Sequence, residues 1–529
     1  DLPQPRTIEN TWSWVQKTQR KWQFLPPADL RGSVDPPVVE AASGHVLTIT
    51  LTVGPELTIP TGGHIILEIP ATWDGHLGNC FRRNIRAVGN RDQIRPGYGA
   101  WTDAECSNPE VELALAASHE RISDLVDVVV QRGEIGPGDE VRIVLGSDEG
   151  NLIQPQKHAQ VAVLPVGVDT EGDGEYRRAA VHPVLKVIGA YPDRLRIFAP
   201  GSVQPDEPFT FRVLPVDIYS FNPGTGYRGE PMLASTEGLT VPPRARIDTE
   251  SDPTGVACSA TALEPGIHYI TACDPATGIA GRSNPIGAGF FGERTVYFGE
   301  LHSQMWLSMG TGTTSEYFEW GRDVAGLDFC APANHYNQRF EVTDAIWQEL
   351  VQTCNAWNDP GRFVALIGYE WGGVSGSGHK NIYFRGDTGT FAYWYRKEHA
   401  DPDAFWDSLE GQDVLTVPHH SKYMGGADWS YRNDTFQRLV EICSNWGISE
   451  TDGPRSVQAA LAMGHRFGFL GGTDSHYGLA NQGSYHVNDG NGLACVIAPE
   501  LTRDALWQAM YDRRCYATTG DRILMDFTL

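Results

Sequence analysis

The chain has 529 residues, length for roughly three or four domains. Lys and Arg number 41 against 66 Asp and Glu, a formal charge of −25; a surface this acidic repels phosphate backbones and anionic headgroups, which excludes nucleic-acid and membrane-surface binding as primary roles. The 15 Trp, 19 Tyr and 20 Phe exclude a disordered chain, while 58 Gly and 34 Pro predict many turns and therefore much β structure. No apolar run approaches the roughly 18 residues of a membrane span, so a soluble protein is expected, with the cytoplasm favoured over the periplasm. Nine cysteines are too few for a disulfide scaffold. Cys80 with Cys106 and Cys258 with Cys273 could pair between strands, or remain packed thiols.

Along the first half, short apolar runs recur between turns: Val46 to Val53, Gly63 to Ile69, Asp124 to Gln131 and Glu140 to Leu145. A second set runs through Leu185 to Ile188, Arg194 to Ala199, Pro208 to Val216 and His268 to Ala272. Both read as antiparallel β-sandwich, the second of immunoglobulin-like character. The expected organisation is a β-rich domain over residues 1–183, an Ig-like β-sandwich over 184–289, and a third domain over 290–529. A single larger sandwich is the alternative for the first two.

From residue 290 strands and helices alternate. Val296 to Leu301, Leu327 to Ala333, Phe363 to Tyr369, Asp413 to Pro418, Arg438 to Cys443, Phe467 to Gly471 and Leu493 to Ala498 read as strands. Thr313 to Ala325, with Gly326 as its stop, Val342 to Ala356, Arg455 to His465 and Arg503 to Arg513 read as helices. This rhythm predicts a parallel α/β architecture, in a segment close to the roughly 250 residues of a (β/α) barrel. Polar residues follow the strands: Glu300, His302 and Gln304, then Asn334 and His335, Glu370, His419 and His420, Glu441 within its strand, and Asp474 and His476. In a parallel barrel these ends converge on one rim. Imidazole and carboxylate there form a ligand set for Zn, Mn or Fe, which points to metal-assisted hydrolysis.

The ordered series Tyr297 to Gln304, Ala325 to Phe329, Asn334-His335, Gly368 to Trp371, Gly378 to Asn381, Pro418-His419-His420 and Gly472 to His476 resembles the PHP (polymerase and histidinol phosphatase) superfamily and, within it, is most similar to the DUF3604 family, over about residues 295–529. The resemblance implies a distorted (β/α)7 TIM-type barrel holding up to three ions that hydrolyse phosphoesters. It places metal ligands at His302, His335, Glu370 as the bridging carboxylate, His379, His419, Asp474 and His476. Where the family has the second His of its His-x-His, this chain has Gln304, which could ligate through its amide oxygen. Met309 and Asn334 stand at two further ligand or motif positions. One or two divalent ions are therefore expected rather than three, and no organic cofactor.

In the implied mechanism Asp474 or His476 moves protons and His335 or a nearby cation stabilises negative charge. Lys422, Lys380 and Arg339 are candidate contacts to a small anionic substrate. Gly372 to Gly378 lacks the Gly-Lys-Ser/Thr ending of a phosphate loop and reads as a loop that lets His379 turn inward. Two alternatives compete: a metal-dependent hydrolase or lyase acting on a non-phosphate bond, and a degenerate, non-catalytic barrel carried with binding modules.

Overall fold

The computed structural model describes residues 27–70, 73, 102–119, 123–146, 152–174, 176–219, 222–305, 308, 311–335, 344–372, 377–393, 399, 401–423, 426–481 and 492–527. The chain divides into two compact units, Gln16–Ala190 and Tyr191–Leu529.

The first unit is built on a nine-stranded sheet. Leu47–Val53 shows why these residues form it: Leu, Ile, Leu and Val alternate with Thr, and the apolar set is buried while the Thr set is half-exposed. Antiparallel partners Ala28–Asp35 and Glu140–Leu145 flank it. The strands expected from Gly63, Asp124 and Glu140 form at His64–Pro70, Ser123–Arg132 and Glu140–Leu145. Val184–Ile188, expected in the second sandwich, instead pairs with Val161–Val163 and Val38–Glu40 of the first unit. The division therefore falls at Ala190, a little beyond residue 183.

In the second unit, strands such as Arg194–Phe198, Pro208–Val216 and Val256–Ala262 form small antiparallel sheets around Leu195, Ile197, Phe211, Val213 and Ile270. This β module and residues 290–529, expected as separate domains, share one compact unit. Phe198, Leu214 and Val216 lie in the same buried cluster as Val296, Phe298 and Trp320.

The strands that carry the polar residues are β1 (Thr295–Glu300), β2 (Phe329–Cys330), β3 (Val364–Ala365), β4 (Ile367–Gly372), β5 (His379–Phe384), β6 (Val414–Pro418), β7 (Leu439–Ser444), β8 (Gly447–Ile448), β9 (Gly468–Gly471), β10 (Leu493–Ala498) and β11 (Cys515–Thr518). Helices α1 (Thr314–Glu319), α2 (Asp344–Trp357), α3 (Pro402–Ser408), α4 (Val457–Ala462) and α5 (Arg503–Tyr511) lie between them. β1, β2 and β3 pair in parallel, as do β7 and β9. β4, β5 and β6 pair antiparallel, and β10 runs antiparallel to β1. The sheets are thus mixed where an all-parallel set was expected. For β4 and β5 the reason is chain length: the loop between Gly372 and His379 is too short for a parallel crossover, which needs about a dozen residues or more. Backbone links continue between the sheets. Thr416 N–H donates to Phe436 ahead of β7, and Asp474 N–H beyond β9 donates to His302 beyond β1.

Thr313 and Glu316 form a capping box at α1, a π-helical turn Trp320–Val324 follows, and Gly326 ends the segment at φ +64°. Cys106, Cys258 and Cys273 are free thiols, and Cys80 lies outside the described residues. Among the described residues no helix is long and apolar enough to cross a membrane.

A Cβ on Gly326 would sit 2.6 Å from the Phe198 ring and would force a left-handed conformation on a side chain. Gly326→Ala should therefore destabilise the Tyr191–Leu529 unit by about 2 kcal/mol, read as a lowered midpoint of urea unfolding.

Candidate metal centre

Glu370, on β4, is 1% exposed, and its two oxygens face different partners. Oε1 lies 2.8 Å from His419 Nε2, 2.9 Å from His379 Nδ1 and 3.1 Å from His335 Nε2. Oε2 lies 3.5 Å from His302 Nε2 and accepts a hydrogen bond from Gln304 Nε2 at 3.0 Å. Burial alone would raise the carboxyl's pKa, but His335 and His419 beside it hold it well below the ordinary range, so Glu370 is ionised.

β1 delivers His302. Its backbone N–H donates to Glu300 Oε1 at 2.7 Å, and the same oxygen accepts from Thr473 N–H at 3.0 Å, which ties the end of β1 to the segment that carries Asp474. Burial pushes Glu300 up to about 8. His302 Nε2 is 3.3 Å from Asp474 Oδ1. For His302 burial opposes charge, yet Asp474 and Glu441 outweigh it and raise its pKa well above the usual value. Asp474 is held low: burial works against ionisation, and His302 and His476 overcome it.

β6 delivers His419 and His420. In an extended strand neighbours point to opposite faces, so only one of the pair should reach the centre. His420 adopts φ +30°, which breaks the alternation; its ring lies 4.4 Å from that of His419, and its Nε2 4.0 Å from Asp474 Oδ2. Asp474 is likewise left-handed, at φ +53°. Strained backbone of this kind, repeated on two facing residues, is characteristic of functional sites. Burial lowers the pKa of His335 to about 3 and lowers those of His419 and His420, leaving three neutral imidazoles with lone pairs.

Among the described residues two groups have ligand atoms within 4.8 Å of one another: His302, Glu370 and Asp474; and Glu370, His379, His419 and His420. Each can hold a metal ion, and Glu370 belongs to both. The donor set fits: carboxylates, imidazoles, and two buried atoms, His302 Nε2 and Asp474 Oδ1, that face each other without a hydrogen bond. Imidazole with carboxylate suits borderline divalent cations such as Zn, Mn or Fe.

Of the expected ligands, His302, Glu370, His379, His419 and Asp474 come together in these groups, and His335 lies against Glu370. His476 Nε2 stands 3.9 Å from Asp474 Oδ1. Gln304 does not turn its oxygen to the centre. Its Nε2 donates to Glu370, while Oε1 accepts from Ser308 Oγ at 2.6 Å; that hydroxyl in turn accepts from His335 N–H. Lys380, an expected substrate contact, points away from the centre, because it follows His379 on β5 and strand alternation puts it on the opposite face. It is buried, donates to the Ser377 carbonyl and lies over the Trp371 ring, and burial lowers its pKa to about 7. Lys422 is partly exposed, and Arg339 and Met309 lie outside the described residues. His420 is the group member absent from the expected ligands; its adjacency to His419 was the only signal.

Residues 308–441 and 480–528 match the family described as "Protein of unknown function (DUF3604)". That span includes His335, Glu370, His379, His419 and His420 and omits His302 and Asp474. The chain is 27% identical over 291 residues to an uncharacterized protein of Chlamydia pneumoniae, covering 50% of this chain and 46% of that one. It is 25% identical over 437 residues to an uncharacterized protein of Chlamydia trachomatis serovar D, covering 75% and 68%. The chain thus spans less than half the length of the first of these relatives. Among solved structures, a two-domain protein of Bacteroides vulgatus containing a predicted PHP-like metal-dependent phosphoesterase aligns at TM-score 0.31 and 13% identity, over 44% of this chain and 66% of that one. The D00-D0 domain of Intimin aligns at TM-score 0.19 and 10% identity, over 49% and 98%.

Because Glu370 serves both groups and Gln304 offers only a nitrogen, the two substitutions should separate. Glu370→Gln should abolish tight divalent-metal binding, read as ion content by elemental analysis after dialysis. Gln304→Ala should keep the native stoichiometry, with affinity within about tenfold.

Proposed function

We propose that the chain is a metal-dependent hydrolase of small anionic esters, phosphoesters first among them. The carrying observation is one buried, ionised carboxylate, Glu370, shared between two groups of metal-competent side chains. A divalent cation held there would lower the pKa of a coordinated water toward about 7 and polarise the ester.

The chain's own residues have separable tasks in this reading. His302, Glu370 and Asp474 bind on one side, and His379, His419 and His420 on the other. Asp474 keeps its charge and acts as a ligand rather than a proton donor, with Oδ2 tied to Trp446 Nε1 at 2.5 Å. Proton transfer then falls to His476, which stands beside it. His335, held neutral by burial, does not act as a cation, and its Nε2 faces Glu370. The backbone links from β2 and β3 through β4 to β6, and from β7 and β9 back to the end of β1, support a distorted (β/α) barrel as the frame.

One observation favours a second reading, hydrolysis or lyase cleavage of a non-phosphate bond: Lys380 faces away from the centre, which removes one of three cations expected to grip a phosphate.

Exhaustive chelation should abolish hydrolysis and readdition of Mn or Zn should restore it, assayed on phosphomonoesters, phosphodiesters and carboxylic esters in parallel. A rate indifferent to metal removal would refute both readings. Metal-restored activity confined to the non-phosphate substrates would select the second.

A further inference from the structure

β7 and the turn after it supply no member of either metal-holding group, yet three of their side chains reach residues that do or that adjoin them. Glu441 Oε2 lies 2.8 Å from His302 Nδ1. Asn445 Nδ2 donates to the carbonyl of Thr473, next to Asp474. Trp446 Nε1 donates to Asp474 Oδ2 at 2.5 Å. Glu441 is 3% exposed and His302 is fully buried.

A carboxylate can only accept, so Glu441 takes the Nδ1–H of His302 and leaves Nε2 as the coordinating nitrogen. Nε2 points between Glu370 Oε2 at 3.5 Å and Asp474 Oδ1 at 3.3 Å, and it makes no hydrogen bond of its own. Asp474 repeats the arrangement, its Oδ2 tied by Trp446 and its Oδ1 left facing His302. In both ligands the far atom is held and the near atom is free.

We propose that Glu441 is a positioning residue of the metal centre: it fixes the tautomer and ring orientation of His302 so that Nε2 ligates together with Glu370 and Asp474. The inference rests on the metal-centre reading and assigns Glu441 a role that no ligand pattern in the sequence carries. Partners of this kind typically change metal affinity by about 10- to 100-fold.

The test measures Zn affinity by competition with a chromophoric chelator for the full chain, Glu441→Gln and Glu441→Leu, each also in a His302→Asn background. Glu441→Leu should weaken binding by about 10- to 100-fold, and Glu441→Gln, which keeps an acceptor oxygen, by less. With His302 replaced, neither change at 441 should add more than about twofold, since the interaction it perturbs is gone. Affinities unchanged in both Glu441 variants, or losses just as large in the His302→Asn background, would overturn the assignment. Should the Leu variant not fold, the near-isosteric Gln variant decides by the same criteria. A native chain that binds no Zn refutes the metal centre itself; native binding that both Glu441 variants leave untouched refutes only the role of Glu441.

Discussion

The structure around the centre depends on the burial of Glu370 as an anion. An isolated ionised carboxylate in a protein interior is unfavourable by many kcal/mol unless donors surround it. Here they come from four places in the chain: Gln304 after β1, His335 after β2, His379 at the start of β5, and His419 after β6. Each strand end must arrive for the charge to be tolerated, so the carboxylate that recruits a cation also requires the surrounding strand ends to close.

Packing below the donors leaves little freedom. A Cβ on Gly472 would collide with the Cβ of His302 and with the Glu441 carboxylate, so glycine is required where the chain leaves β9. Gly299 on β1 would likewise meet the Phe329 ring. Close backbone approach at these two glycines lets β1, β2 and β9 draw together, and that approach brings His302 within reach of Asp474. His420 and Asp474 are left-handed and buried, so surrounding contacts hold a backbone that would relax if free.

The division of labour along β7 shows the same principle one layer out. Glu441, Asn445 and Trp446 occupy the hydrogen-bonding atoms of His302, Thr473 and Asp474 that face away from the centre. In the proposed centre these residues of β7 and the turn after it, which carry no ligand atom themselves, would orient the ligand set.

Much of this was legible in the sequence. Period-two alternation marked Leu47–Val53, Thr313 with Glu316 marked the start of α1, Gly326 marked the end of that helical segment, and polar residues at the ends of apolar runs singled out His302, Glu370 and His419, which the structure brings together. These signals are local, because hydrogen bonding, capping and side-chain period act over a few residues. What only tertiary structure decided is non-local or depends on dihedral angle. The short connection between β4 and β5 made the sheet mixed, one positive φ turned His420 inward, and alternation turned Lys380 outward. Gln304 became a donor because a buried carboxylate and the Ser308 hydroxyl lay on either side of it. Residue types determined which side chains could ligate; the closing of distant strands, where each buried polar atom must find a partner, determined which of them come together.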